Sequence, residues 1–298
     1  MTSAVAPAPT RAFAVACVGI AIFCCMDALM KGLGLALGAY SALLWRTLVG
    51  VGVTGLLWFT ARAPWPTPAL LRLHVGRGVV VAAMAVLWFH AITLVPLAEA
   101  VAISFFAPLL AIWLAGLFLH EAVNARAVAG SCLGLAGVAA IVAGRLDAPH
   151  GPRVVEGIAA VIASALLYAI NLVLQRHQAQ QASPREIAFF QTLTVFALLL
   201  PFAPWAAVAP VTAQWPLLAA AALFSTVSLL MLSWAYARAQ AQQLVATEYT
   251  GFVWLSLLGW WFFDEALTPA TVAGAVLIVG GCLLAIRRPA RLPQEALL

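Results

Sequence analysis

Charge is what this sequence has least of. Only 8% of its 298 residues are Asp, Glu, Lys or Arg, against 65% hydrophobic, and the mean hydropathy is +1.04. A soluble domain carries roughly 25% charged residues, so a water-covered surface is excluded and the chain reads as an integral membrane protein. Catalytic motifs are missing too: there is no GxxxxGK[ST] phosphate loop, no GxSxG and no HExxH, and Asp27 is the only aspartate inside an apolar run. With no ATP-binding loop and no long polar segment, ATP-driven pumping is not expected, and an intramembrane enzyme is disfavoured. The five cysteines (Cys17, Cys24, Cys25, Cys132, Cys282) lie in apolar runs without metal or disulfide spacing, so no metal and no cofactor is expected. The net charge of +5 comes from basic residues placed singly at the ends of apolar runs, a pattern that does not suit nucleic acid.

Apolar runs are what is present. A bilayer core about 30 Å thick needs roughly 20 helical residues, and ten such runs can be counted: Phe13 to Met30, Ala39 to Thr60, His74 to Leu94, Ala98 to Leu119, Ala125 to Gly144, Gly157 to Leu174, Arg185 to Ala203, Trp215 to Ala235, Leu244 to Phe263 and Thr268 to Ile286. Cytoplasmic loops keep Lys and Arg. With the N-terminus inside, the inner segments hold Arg11, Arg62, Arg72, Arg77, Arg126, Arg176, Arg185, Arg238, Arg287, Arg288 and Arg291, and the outer loops only Lys31, Arg145 and Arg153. Both termini are therefore expected in the cytoplasm, with Arg46 the one basic residue left in the membrane. A retained first helix fits better than a signal peptide, because the run is long, contains Asp27 and lacks a small-residue cleavage site.

The chain also repeats itself. Residues 118 to 137 and 262 to 281 share 8 of 20 positions at an offset of 144, including Glu121/Glu265, Gly130/Gly274 and Gly137/Gly281. Five runs per copy is an odd number, so the second copy enters from the opposite face. The expected architecture is all-α, ten transmembrane helices in two inverted five-helix repeats over residues 1–145 and 146–288, followed by a short cytoplasmic tail, 289–298. Inverted repeats offer two near-equivalent packings and hence a geometric route to alternating access.

At Glu121 with Gly130, Glu265 with Gly274, and Arg46 in Trp45-Arg46-Thr47, the chain resembles the EamA-type carriers of the drug/metabolite transporter superfamily, and in overall appearance it is most similar to the YddG-like amino acid exporters. The second copy departs from the pattern with Gln191 in Phe190-Gln191-Thr192, one step off the offset. The resemblance implies an inner-membrane secondary transporter that exports small metabolites, with aromatic and other neutral amino acids leading and cationic drugs as further substrates. A passive facilitator for the same solutes is the alternative.

Polar side chains at membrane depth are costly and mark functional candidates, with helix-to-helix hydrogen bonding as the competing role. Ser164, Tyr168, Asn171 and Gln175 recur at spacings of 4, 3 and 4 and share one helical face, which is read as lining a cavity; Asn171 matches Asp27 at the 144 offset. Arg46, about 10 Å deep at 1.5 Å per residue, is expected to pair with Asp27. Glu248 and Tyr249 match Ser104 and Phe105, and Glu248 is the candidate proton-coupling group. Trp88 and His90 complete the candidate cavity, although a belt or packing role is favoured for Trp88, and for His90 a hydrogen bond to a neighbour is favoured over a proton relay. Pro108 removes a helical hydrogen bond, and its counterpart Phe252 sits beside Gly251, so Pro108 and Gly251 are the candidate hinges. The Gly130-x-x-x-Gly134 spacing fits tight helix packing or a homodimer, and Glu121 and Glu265 are expected to cap the helices that follow them.

Overall fold

A computed structural model describes residues 9–62, 64–107, 110, 113, 125–146, 153–239, 244, 247, 248 and 250–286, and the described residues are helical with no strand. The main helices are α1 (Pro9–Leu37), α2 (Ala39–Thr60), α3 (Pro68–Leu94), α4 (Leu97–Ser104), α5 (Ala125–Leu146), α6 (Val154–Ala179), α7 (Pro184–Leu199), α8 (Trp215–Tyr236), α9 (Thr250–Phe263) and α10 (Pro269–Ile286). Among the described residues, six spans are long and apolar enough to cross a membrane: Arg11–Leu37, Ala39–Thr60, Pro68–Leu94, Val154–Ala179, Pro184–Ala206 and Thr212–Tyr236. Pro108, Glu121 and Tyr249 lie outside the described residues.

Local sequence explains where several helices begin. Thr67-Pro68, Ser183-Pro184 and Thr268-Pro269 each place a hydroxyl before a proline at the first helical position, where a missing N–H costs nothing. The hydroxyls of Thr67, Ser183 and Thr268 accept from the backbone N–H of Leu70, Glu186 and Thr271 at 3.3, 3.3 and 3.1 Å. Between α1 and α2 the chain reverses through Gly38 alone, at φ 82°, a conformation that favours glycine. Buried threonines such as Thr47 and Thr54 satisfy their hydroxyls on carbonyls one turn back, so they add no interhelical demand.

Two helices outrun their expected ends, and both corrections bring a cation indoors. α1 continues past Met30 to Leu37, and Lys31, expected in an outer loop, is 6% exposed within it. α3 begins six residues before His74, which leaves Arg77 nearly three turns inside the helix and 2% exposed, where the charge distribution had suggested an inner loop. Arg46 is therefore not alone: among the described residues three Lys or Arg side chains are buried.

The packing pairs come in matched sets. α5 lies along α10, α1 along α8, α3 along α6, and α2 along α7, while α9 meets α1 and α4. Shifting the helix numbers by five maps the most extensive packing pairs onto one another: α1 with α8 becomes α6 with α3, α3 with α7 becomes α8 with α2, and α1 with α9 becomes α6 with α4. The two halves are thus related in their contacts as well as in their letters.

The repeated glycines belong to the α5–α10 pair. A Cβ on Gly137 would stand 2.6 Å from the Gly274 carbonyl oxygen, and one on Gly281 would strike the Gly130 carbonyl. These helices approach at backbone distance, and the small-residue face is occupied within the chain, so it carries no argument for a dimer. Gly274→Val drives a side chain into the opposing backbone and is expected to lower the thermal unfolding midpoint in detergent, at a cost of about 1–3 kcal/mol. Gly52→Ala, which faces open space, is expected to leave the midpoint unchanged or raise it; equal losses in both variants would contradict the packing argument.

Candidate functional site

Six helices, α1, α3, α4, α6, α8 and α9, together with α2 and α7, enclose a cavity of about 190 Å³. One water needs about 10–15 Å³, so the space suits several waters or a small organic molecule. Its walls carry four ionisable side chains, Asp27, Arg46, Arg77 and Glu248, and the aromatic rings of Phe23, Trp88, Phe89, Phe105 and Tyr168. Ser104, Ser164, Asn171, Gln175 and Gly251 also border it. The polar face expected on α6 therefore opens onto the cavity, with Asn171 and Asp27, its match in the first repeat, both on its wall.

The expected Asp27–Arg46 pair is not formed. Arg46 donates through Nη1 to Ser225 Oγ at 3.1 Å, touches Met26 Sδ at 3.4 Å, and lies over the Phe89 ring at 5.2 Å. Its Nε has no partner, and neither has Asp27 Oδ1. The guanidinium is held by a hydroxyl and a π-face instead of a carboxylate, because Ser225 on α8 and Phe89 on α3 are within its reach. Glu248 is held differently, accepting from the phenols of Tyr168 at 2.9 Å and Tyr236 at 3.3 Å.

Arg77 was missed in the sequence reading and holds the most bonds. Nε donates to Asn171 Oδ1 at 2.9 Å, Nη1 to Gln178 Oε1 at 2.5 Å and Nη2 to Gln175 Oε1 at 3.2 Å. Three amide carbonyls from one face of α6 thus replace a counter-ion. A signal existed: His74 and Arg77 are separated by three residues and share a helical face, but a lone Arg near the start of an apolar run reads as a loop boundary.

None of the four ionisable groups pairs with another. Of the buried side-chain atoms left without a hydrogen-bond partner among the described residues, Asp27 Oδ1, Arg46 Nε, Trp88 Nε1, Gln191 Oε1 and Ser228 Oγ all belong to residues of this wall. An unsatisfied buried polar group costs about 1–3 kcal/mol, so their collection around one space makes it the candidate site.

His90 is not part of the wall. It is half-exposed near the end of α3 and bonds Glu156, in the first turn of α6, at 2.8 Å. Gly251 stands beside Cys24, and a Cβ there would meet only ordinary contacts at 3.5 Å.

Beyond the cavity on either side lies a polar cluster. Where α1 and α3 end, Lys31 pairs with Glu265 and donates to the Val95 carbonyl at 3.0 Å, while Glu265 Oε2 accepts from the backbone N–H of Leu97 at 2.8 Å. The expected cap is thus corrected: Thr268 caps α10, and Glu265 reaches across to the first turn of α4. Asp264, in the left-handed region at φ 52°, turns the chain so that Glu265 folds back over Gly259, where a Cβ would meet its carboxylate at 2.5 Å. Where α3 begins, Arg77 joins Gln178, His74 and Glu186.

Two stretches of the chain, residues 10–143 and 155–287, each match the EamA-like transporter family. The chain is 30% identical over 264 residues to the pseudopaline exporter CntI of Pseudomonas aeruginosa, covering 88% of this chain and 90% of that protein. It is 29% identical over 213 residues to an uncharacterised transporter of Helicobacter pylori, covering 70% and 72%. A solved crystal structure 22% identical shares the fold, with a TM-score of 0.66 over 93% of this chain and 98% of that one.

Removing Lys31 strands the Glu265 carboxylate in a buried setting. Lys31→Met is expected to destabilise by about 3–5 kcal/mol, read as a lower unfolding midpoint. Adding Glu265→Gln, whose carbonyl still accepts from Leu97, should recover much of the loss; a double variant no better than the single one would show that the pair is not coupled.

Proposed function

The chain belongs to the EamA-like transporter family, and from that premise we propose that it exports small zwitterionic metabolites, aromatic and other neutral amino acids first, by alternating access. It is an integral protein of the bacterial inner membrane, and its relatives are transporters, not enzymes. The observation that carries the substrate reading is the cavity wall, where two arginines and two carboxylates face one space without pairing. Charges kept apart inside a membrane are expensive. A molecule bearing both a carboxylate and an ammonium group supplies the missing partners, the carboxylate at Arg46 and Arg77, the ammonium at Asp27 and Glu248. Trp88, Phe89 and Phe105 then receive an apolar or aromatic side chain.

Alternating access is supported by the matched packing of the two halves. If they are inverted, as five runs per copy and the distribution of Lys and Arg imply, exchanging the two packings opens the cavity to one face and then the other. The α3 start and α8 end are cytoplasmic in that orientation, and Pro108 and Gly251 are the proposed points of bending. Export of pseudopaline, the cargo named for the Pseudomonas relative, is a second reading, favoured by the 30% identity over nearly all of both chains.

Counterflow in proteoliposomes tests the reading. Saturable uptake of labelled phenylalanine or leucine, stimulated by unlabelled zwitterion on the opposite side, is the expected result, and Arg46→Gln and Asp27→Asn should each raise KM by about tenfold or more, as loss of one charged hydrogen bond worth about 1.5–3 kcal/mol requires. Linear flux without trans-stimulation would replace the carrier by a facilitator. No flux of any amino acid alongside saturable flux of pseudopaline would select the second reading.

A further inference from the structure

Arg77 is held from behind by a chain of side chains that leads out of the cavity. Gln178 Oε1 accepts from Arg77 Nη1 at 2.5 Å, Gln178 Nε2 lies 2.6 Å from His74 Nδ1, and His74 Nε2 lies 3.0 Å from Glu186 Oε1. His74 is fully buried, and Glu186, in the first turn of α7, is 9% exposed.

Chemistry fixes the direction of each bond. A guanidinium has only donors, so the Gln178 atom facing Arg77 is the carbonyl oxygen and the atom facing His74 is the NH₂. An NH₂ at that distance requires an acceptor, so Nδ1 carries no proton, and the ring proton sits on Nε2, donated to the Glu186 carboxylate. His74 is therefore neutral in this arrangement. A second proton, on Nδ1, would set donor against donor, and relief requires the Gln178 amide to turn over. The turned amide presents NH₂ to Arg77 and takes its carbonyl away. The charged groups bearing on His74 are Glu186 from α7 and Arg77 from its own helix; α6 supplies uncharged amides, Phe190 stacks on the ring at 5.0 Å, His177 is engaged with Gln181, and Arg72 and Arg185 are exposed.

We infer that Gln178 is a positioning residue for Arg77: the turned amide sets its NH₂ against Nη1 and drives the guanidinium from the place where it meets a carboxylate, so that a proton on His74 and a substrate carboxylate on Arg77 exclude one another through rotation of this one amide. The inference rests on the reading of Arg77 as a carboxylate receptor. Mutually exclusive binding of proton and substrate is the linkage that an exchanger of one for the other needs. Glu186, the less buried end of the chain, is the point at which a proton arrives.

In proteoliposomes, KM for a transported zwitterion is expected to rise about tenfold between about pH 8 and about pH 5, with kcat little changed. Gln178→Glu supplies a carboxylate that accepts from Arg77 and from a protonated His74 together. His74→Gln keeps an acceptor toward Gln178 and a donor toward Glu186 without titrating in this range. Both variants should flatten the pH profile of KM, whereas a merely structural Gln178 would lower activity and leave the profile in place; wild-type pH dependence in both folded variants overturns the inference. Nitrogen-15 spectroscopy of histidine-labelled protein in nanodiscs tests the relay without substrate. At about pH 8 the His74 signal, identified by its loss in His74→Gln, is expected from the neutral Nε2–H form. An Nδ1–H form overturns the relay whatever transport shows, while the Nε2–H form in a protein that carries no zwitterion supports the relay and counts against the exporter reading alone.

Discussion

A charge inside a bilayer must have a partner or a wet, polar surrounding, and this protein is organised around that constraint. A guanidinium or carboxylate facing lipid would cost several kcal/mol, so every buried charge has to face inward, and the helices must be arranged to receive it. Arg77 is surrounded by three α6 carbonyls, Arg46 by a serine and an aromatic face, and Glu248 by two phenols. In each case the helix that supplies the charge and the helix that supplies the answer come from different parts of the chain, so electrostatics and packing specify the same arrangement.

The two polar clusters bracket the cavity and join the halves of the chain in different ways. At the Lys31 end, an acidic side chain from the turn before α10 pairs with a cation on α1 and caps α4, so one carboxylate ties three segments. At the His74 end, the link is a relay of one neutral amide and one imidazole between a cation and a carboxylate. A direct buried ion pair is hard to break in low dielectric, while a chain of neutral hydrogen bonds can be rearranged by turning one amide. The second cluster is thus the one whose chemistry admits two states.

Much of the fold was legible in the letters. The glycine face of α5 and α10 and the polar face of α6 are local patterns that occur where their spacing implies, whereas the ends of the apolar runs were misplaced at α1 and α3, the latter because Thr67-Pro68, an equally local signal, was not read as its start. The errors share a cause. Lys31 and Arg77 were read as loop residues because hydropathy treats a basic residue as a boundary, and what overrides that rule is a partner far away in sequence: Glu265 lies 234 residues from Lys31 and Gln178 lies 101 from Arg77. Asp27 and Arg46 looked like partners because their helices are consecutive, yet Arg46 finds Ser225 and Phe89, which hydropathy could not bring near it. His90 looked intramembrane close to Trp88, but residues two apart on a helix point about 200° apart, so one faces the cavity and the other meets Glu156.

The sequence by itself determined that this chain lives in a membrane, is duplicated, and places polar residues on certain helical faces, because hydropathy, offset and periodicity are properties of neighbouring residues. Tertiary structure decided which charges share a space, which are satisfied and which are left waiting, because those depend on distances between side chains on different helices, most of them many tens of residues apart. The repeated Glu-Ala tract shows the division well. Its letters announced the repeat, but only the folded chain put the Glu265 carboxylate on the first turn of α4, since a carboxylate caps whichever unsatisfied N–H stands nearest in space.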